Sequence, residues 1–191
     1  MSELDVRERI IVEATRLLAD QGYARTSVRE ITDAVGVTKP TLYYHFGSKE
    51  GLFTALVEHH TSEWLSAAER IVGGEGTVVQ RLRRYVRSSF RVLDERPDVL
   101  RFLIMAFHQA GQGAPEIDSM RFHAAEVNAL LALLKEGVEA GELVQHDVSS
   151  SIYLLMGSIH MRIGGALRAG HALEPDTADA IVDLFLHGVK S

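Results

Sequence analysis

Apolar residues recur at every third or fourth position along most of the 191-residue chain, and this spacing predicts an all-α fold of about nine helices. The first predicted helix runs from about Val6 to Asp20, with an apolar stripe that ends before Gly22. We find no segment with the strict alternation of apolar and polar residues that would indicate a β-strand. We therefore expect the core to be formed between helices.

Two short helices are predicted next, separated by a turn at Gly36. The first should begin with a capping box, in which the Ser27 hydroxyl accepts from the Glu30 amide and the Glu30 carboxylate accepts from the Ser27 amide. The second should begin after Thr38, a favourable N-cap residue. Two helices at this spacing are typical of a helix-turn-helix, whose second helix enters the DNA major groove.

The second short helix has a polar outer face. If Leu42 and Phe46 point to the core, the other face carries an ammonium group, a hydroxyl, two phenols and an imidazole, on Lys39, Thr41, Tyr43, Tyr44 and His45. Such groups can bond phosphates and base edges. The same pattern also fits an ordinary solvated helix face, and the spacing alone does not separate the two interpretations.

The run VTKPTLYYHFGSKE at positions 37–50 resembles the recognition-helix signature of the tetracycline-repressor family. Gly22-Tyr23 and the segment from Thr26 to Val37 match the same pattern, so the resemblance covers residues 6 to about 57. It implies a helix-turn-helix DNA-binding domain over residues 1–50 and a helical ligand-binding and dimerisation domain over residues 51–191. It further implies that double-stranded operator DNA is contacted by Ser27, Arg29, Thr38, Lys39, Pro40, Thr41, Tyr43, Tyr44, His45 and Lys49.

Several of these assignments have structural alternatives. The resemblance implies that Arg29 reaches a guanine edge, but Asp33 lies four residues further on and could pair with it. The resemblance implies that Lys49 binds a phosphate at a helix N-terminus. The alternative is that Lys49 is an ordinary surface lysine. His45 could bond a backbone group, and Tyr44 could pack at the edge of the domain.

The charge of the chain is acidic, with a formal net value of −6. Residues 1–50 carry 7 Lys/Arg and 8 Asp/Glu, whereas residues 51–191 carry 13 and 18. The distribution of charge matters more than its total for a DNA-binding protein. Because even the N-terminal part is not basic overall, any DNA contact must come from a local cluster.

Other classes of protein have weaker support. The chain has no cysteine, no Gly-rich phosphate loop and no nucleophile elbow, although nine histidines and many acids could still assemble an enzyme site. The charged start does not resemble a signal peptide, and the longest apolar stretch, 152–167, is shorter than the ~20 residues of a membrane span. We expect a cytoplasmic protein that is not an enzyme, binds no membrane and uses no metal or cofactor.

The last two predicted helices are candidates for a homodimer interface. Positions 152–167 are almost all apolar or small, and the last helix carries an apolar stripe of Ile181, Leu184, Phe185 and Val189. The resemblance implies that these helices pair across a two-fold axis, as a protein that reads two half-sites requires. The alternative is that both helices are only intramolecular core.

The resemblance also implies a pocket for an apolar or amphipathic small molecule. The candidates are large soft side chains on the middle helices, with three histidines as polar anchors: Phe90, Phe102, Met105, Phe107, His108, Met120, Phe122, His123, Tyr153, Met156 and His160. The alternative is that they are plain core, which is the more common role of Met and Phe at helical spacing. A run of five arginines from Arg81 to Arg91 indicates salt bridges to neighbouring helices or, with less support, an anionic ligand.

The function that these features predict is a dimeric repressor that binds a palindromic operator and is released by a small molecule. The alternatives are an activator and a helical ligand-binding protein that does not bind an operator.

Overall fold

The computed structural model describes residues 3–108, 113–170, 173 and 176–189. In these residues the chain forms nine α-helices and no strand, which confirms the predicted fold class. None of the described helices is long and apolar enough to cross a membrane. The helices are α1 (Glu3–Gln21), α2 (Val28–Val35), α3 (Lys39–Phe46), α4 (Lys49–Val72), α5 (Val78–Glu95), α6 (Pro97–His108), α7 (Ser119–Glu139), α8 (Val148–Ala169) and α9 (Thr177–Val189).

Several helices begin where the sequence supplies a capping side chain. At α5, the Thr77 hydroxyl accepts from the Gln80 amide at 3.2 Å, and the Gln80 side chain accepts from the Thr77 amide at 3.1 Å. At α8, the Asp147 carboxylate accepts from the amides of Ser149 and Ser150. These contacts satisfy amide groups that the first turn of a helix leaves without an intrahelical partner.

The described residues group into two compact units. Unit 1 consists of residues 1–63 and 98–119, and it includes α1 to α3, the first part of α4, and α6. Unit 2 consists of residues 64–97 and 120–191, and it includes α5 and α7 to α9. The predicted domain boundary between residues 50 and 51 separates DNA binding from ligand binding and dimerisation, and it stays a prediction.

The core of unit 1 is built on fully buried side chains of several helices. Tyr23 packs edge-on against Phe53 of α4 with ring centroids 5.1 Å apart, and Phe53 packs in the same way against Phe102 of α6 at 5.5 Å. Aromatic pairs in this geometry contribute about 0.5–1.5 kcal/mol each beyond their buried area. Aliphatic residues of the first four helices complete the core: Ile10, Ile11, Leu18, Ile31, Leu42, Leu52 and Leu56.

In unit 2, α5, α8 and α9 pack against one another. Their contact is apolar at the centre, where Leu82, Ile152 and Val182 are fully buried. The edge is formed by ion pairs. Arg87 donates to both carboxylate oxygens of Asp179, at 3.1 and 2.6 Å, and Arg83 lies 3.4 Å from the same carboxylate.

The arginines of α5 therefore form mainly ion pairs with neighbouring helices, which is the first of the two roles expected from the sequence. Arg83 also pairs with Asp183, and Arg81 pairs with Glu136 of α7. Arg84 instead donates to the backbone carbonyl of Glu75.

One predicted feature lies outside the described residues. It is the side chain of Val189, part of the apolar stripe predicted for the last helix.

The Asp179 ion pairs predict a pH-dependent contribution to stability. The hydrogen bonds from Arg87 and its positive charge lower the pKa of Asp179 below the ordinary value of 3.8. The ionised carboxylate therefore stabilises the fold at pH values above 3.8, and this stabilisation is lost as the pH falls through the lowered pKa of the folded state. Asp179→Asn should lower Tm by about 1–4 °C at neutral pH, measured by circular dichroism.

The control for this prediction is Asp94→Asn, which removes the same charge at an exposed position of α5. Asp94→Asn should leave Tm nearly unchanged. If the deficit of Asp179→Asn stays constant when the pH is lowered well below 3.8, the carboxylate does not stabilise the fold through its charge.

Candidate DNA-binding site

The first helix of the motif, α2, has the predicted capping box at its start. The Ser27 hydroxyl accepts from the Glu30 amide at 3.2 Å, and the Glu30 carboxylate accepts from the Ser27 amide at 2.7 Å. The hydrogen bond from the Ser27 amide lowers the pKa of Glu30. At its other end, α2 stops at Gly36, whose φ of 75° lies in the left-handed region that glycine adopts without strain.

The second helix, α3, starts at a cap formed by two threonines. The Thr38 hydroxyl accepts from the Thr41 amide at 3.3 Å and lies 2.9 Å from the Thr41 hydroxyl. Pro40 fits here because a first-turn residue needs no amide hydrogen. On the inner side of α3, Leu42 and Phe46 are buried, which confirms their predicted orientation.

The outer face of α3 is polar and free of carboxylates. Lys39 and Pro40 are exposed, as are Tyr43 and Tyr44, with exposed fractions of 44% and 75%. Thr41 and His45 are half-buried, and the His45 ring packs against its neighbours Tyr44 and Phe46. The face therefore offers an ammonium group and phenol hydroxyls to solvent, and these can bond the acceptor oxygens of a phosphate backbone.

Arg29 projects from the exposed side of α2. Its Nε lies 3.5 Å from the Asp33 carboxylate, which is the pairing that the sequence offered as an alternative to base contact. Exposed pairs of this kind contribute only about 0–1 kcal/mol, so a guanine edge or a phosphate could replace the carboxylate at little cost. The contact between Arg29 and a base stays a prediction.

Lys49, the first residue of α4, is not an ordinary surface lysine. Its ammonium group donates to the Tyr23 carbonyl at 2.6 Å and lies 4.0 Å from the centre of the Tyr23 ring. Partial burial lowers the pKa of Lys49, while the carboxylates of Glu50 and Glu30 oppose this shift. Burial, followed by the Glu50 carboxylate, raises the pKa of Tyr23 to about 12. Lys49 therefore joins α4 to the turn after α1, and its phosphate role stays a prediction.

The junction between α3 and α4 leaves no room for a side chain at Gly51. A Cβ atom built there would lie 2.1 Å from the carbonyl oxygen of Phe46, the last residue of α3. Ser48 caps the new helix by accepting from the Gly51 amide at 3.0 Å. Gly51 could not be singled out from the sequence, because nothing in the local pattern reveals how closely α4 approaches the end of α3.

The predicted effector residues are found in both units. In unit 1, Phe102 and Met105 are buried, Phe107 is half-buried and His108 is exposed. In unit 2, Phe90 and Met156 are buried, Phe122 and His123 are half-buried, and the exposed members are Met120, Tyr153 and His160. The His123 and His160 rings lie 6.0 Å apart. The role of each residue in ligand binding stays a prediction.

Unit 2 also contains a buried carboxylate that was not expected from the sequence. Glu126 of α7 is buried, and one of its oxygens accepts from the Trp64 ring nitrogen at 2.7 Å and from the Tyr85 hydroxyl. Burial, followed by the charge of Glu126, raises the pKa of Tyr85 well above 10.0. The apolar neighbours of Glu126 along α7 were the available signal that this acid lies inside.

Comparison with known proteins identifies the motif. Residues 10–56 match the family model described as "Bacterial regulatory proteins, tetR family". The transcriptional activator FasR of Mycolicibacterium smegmatis is 32% identical over 88 residues, which are 46% of this chain and 40% of FasR. The transcriptional repressor BdcR of Escherichia coli is 23% identical over 174 residues, which are 91% of this chain and 84% of BdcR.

Residues 10–56 therefore form an N-terminal domain of the tetR family. The resemblance seen at positions 37–50 is thereby confirmed. The match to FasR spans less than half of that relative, whereas the match to BdcR extends over most of both chains.

A solved structure of similar fold is that of the regulator FadR from Bacillus subtilis in complex with stearoyl-CoA. It has a TM-score of 0.80 at 20% identity and covers 95% of this chain and 98% of its own. At this identity the similarity shows a shared fold and nothing further.

The close approach at Gly51 predicts that this position of the tetR-type domain tolerates no larger residue. Gly51→Ala should lower the free energy of unfolding by about 1–3 kcal/mol, because the backbone must move to separate the new Cβ from the Phe46 carbonyl. Urea denaturation followed by circular dichroism measures this change. Thr54→Ala, at a half-buried position one turn further along α4, is the matched control and should cost less. Equal stability of Gly51→Ala and the wild type would show that the junction relaxes freely.

Proposed function

We propose that this protein is a cytoplasmic, homodimeric transcriptional repressor that binds a palindromic operator through α3 and releases it when a small molecule binds. The observation that carries the proposal is the exposed, carboxylate-free outer face of α3, held on a buried inner face. The repressor BdcR matches nearly the whole chain and supports repression. The activator FasR makes activation the alternative.

On the DNA side, α3 enters the major groove and its first turn meets the base edges. Lys39 and Thr41 supply donors there, and the Pro40 ring packs on a thymine methyl group. Tyr43, Tyr44 and His45 contact the phosphate backbone, which fixes the register of the helix. Ser27, Arg29, Thr38 and Lys49 extend the contact surface on both sides of α3.

The dimer forms through α8 and α9. Four large apolar side chains of these helices are 68–76% exposed in the single chain: Tyr153, Leu154, Met161 and Leu184. On α8 the exposed positions recur at a spacing of three to four residues, with Gly157 between them, where an added Cβ would meet open space. Exposed apolar stripes of this kind mark interaction surfaces, and a second copy offers the same stripe across a two-fold axis.

Two residues of the predicted α9 stripe have different environments. Phe185 is buried within the single chain, whereas Leu184 is 76% exposed. We therefore assign Leu184 to the dimer contact and Phe185 to the core of unit 2.

The effector is an apolar or amphipathic molecule that binds in unit 2. The bound ligand of the similar FadR structure, stearoyl-CoA, is of this class. In this chain, the buried Phe90 and Met156 supply apolar contacts, and His123 supplies a polar anchor. Release then requires that the effector bind more tightly to the conformation with low DNA affinity, typically by about 1–3 kcal/mol.

The DNA proposal predicts selection of an inverted repeat from a random double-stranded library, with binding measured by fluorescence anisotropy. Lys39→Ala should weaken selective binding by about 1–3 kcal/mol, because it removes a cation from the first turn of α3. Tyr43→Phe removes only a hydroxyl and should weaken binding in the same direction. Both variants should keep the wild-type Tm, since both side chains are exposed.

The matched control is Lys135→Ala, which removes the same charge at an exposed position of α7 in unit 2 and should bind DNA as the wild type does. Failure to enrich any sequence, or equal losses in Lys39→Ala and Lys135→Ala, would contradict the assignment of α3 as the recognition helix.

The dimer proposal predicts that a charge on the exposed α8 stripe separates the two copies. Leu154→Glu should shift the protein from dimer to monomer in sedimentation velocity, because each copy would bury the new carboxylate in an apolar contact. Val12→Glu places the same charge at an apolar position of α1 that is 61% exposed, and it should stay dimeric. A dimer that survives Leu154→Glu would show that the interface lies elsewhere.

A further inference from the structure

Two consecutive histidines and a glutamate form a cluster on α4, outside the proposed DNA and effector contacts. His59, His60 and Glu63 each offer one ligand atom, and the three atoms all lie within 4.8 Å of one another. The His59 Nε2 is 3.7 Å from one Glu63 oxygen, and the His60 Nδ1 is 3.8 Å from the other. All three residues lie in unit 1.

His60 is held in a fixed orientation. Its side chain is buried, its Nε2 lies 2.8 Å from the hydroxyl of the buried Thr15 on α1, and its ring packs edge-on against Phe102. If Nε2 carries the proton and donates to Thr15, Nδ1 presents a lone pair toward Glu63. An imidazole whose second nitrogen bonds a polar partner is the usual arrangement of a histidine that ligates a metal.

The other two ligands keep the cluster open to solvent. His59 is half-buried and Glu63 is exposed. They lie four residues apart, so they share one face of the helix. An ion can therefore reach the cluster from water, while the buried His60 supplies a ligand whose position is already set.

We propose that His59, His60 and Glu63 bind a divalent transition-metal ion, with Zn²⁺ as the foremost candidate and water in the remaining position. Two neutral imidazoles and a carboxylate suit Zn²⁺ and its neighbours, whereas Ca²⁺ and Mg²⁺ prefer oxygen ligands alone. Tetrahedral bonds of about 2.1 Å place ligand atoms about 3.4 Å apart. The three ligand atoms already lie within 4.8 Å of one another, so rotation of the accessible His59 and Glu63 side chains closes the remaining difference when the ion binds.

The site was not expected from the sequence. The common helical zinc motif has a glutamate between its two histidines, which lie four residues apart. Here the two histidines are adjacent and Glu63 follows both, and the second-nitrogen partner Thr15 lies 45 residues away in the chain.

The test is isothermal titration calorimetry, which measures the heat of Zn²⁺ binding to the full chain after a chelator has removed other metals. One ion per chain should bind at neutral pH and raise Tm, and the chelator should reverse the rise. Co²⁺ should bind at the same site and give visible absorption bands that report its coordination geometry.

Variants locate the ion. His59→Asn and Glu63→Gln change partly or fully accessible side chains, so they should keep the wild-type fold by circular dichroism while losing about tenfold or more in Zn²⁺ affinity. Thr15→Val should lower the affinity about 10–100-fold without removing a ligand. Glu69→Gln, which removes the same charge at an exposed position further along α4, is the matched control and should bind as the wild type does.

The proposal fails if Zn²⁺ produces neither heat nor a change in Tm. It also fails if His59→Asn and Glu63→Gln bind Zn²⁺ as the wild type does, because the ion would then be held by other histidines of the chain. The Glu63 carboxylate would in that case serve only as an ion-pair partner of the two imidazoles.

Discussion

The candidate DNA-binding surface depends on how closely α4 approaches the end of α3. The two helices meet at Gly51, where the backbone of one lies against the Phe46 carbonyl of the other and no side chain fits. Leu42 and Phe46 bury the inner face of α3, and Lys49 ties the start of α4 to the turn that contains Tyr23. Because the inner face is fixed at several points, the outer face has a defined orientation without any interaction of its own.

The features that the sequence predicted well are local ones. Three examples are the Ser27–Glu30 capping box, the Thr38 cap and the end of α2 at Gly36. Each depends only on residues within four positions, so it can be predicted from the sequence alone. The same holds for the inward direction of Leu42 and Phe46, which follows from helical periodicity. These local signals were sufficient to predict the helix-turn-helix and the all-helical fold class.

The features that the sequence did not predict depend on tertiary packing. Tyr153 and Met156 both looked like pocket residues on α8, yet one is 68% exposed and the other is buried, because they lie on different faces of a helix whose neighbours were unknown. The partners of Arg83 and Arg87 lie more than 90 residues away, on α9. Lys49 offered a choice between a surface and a phosphate role, and neither interpretation included the Tyr23 carbonyl and ring.

The acidic net charge is compatible with DNA binding because of where the carboxylates lie. In unit 2, Glu136, Asp179 and Asp183 pair with arginines, so part of the acidic excess is neutralised locally. In unit 1, α3 carries no acid, and the Glu30 carboxylate is engaged with the Ser27 amide. With a net charge of −6, long-range attraction to DNA is weak, so the proposed DNA binding requires short-range contacts from a local set of donors such as those on the outer face of α3. Weak non-specific binding of this kind raises the ratio of operator affinity to affinity for other DNA, and this ratio decides occupancy in a genome.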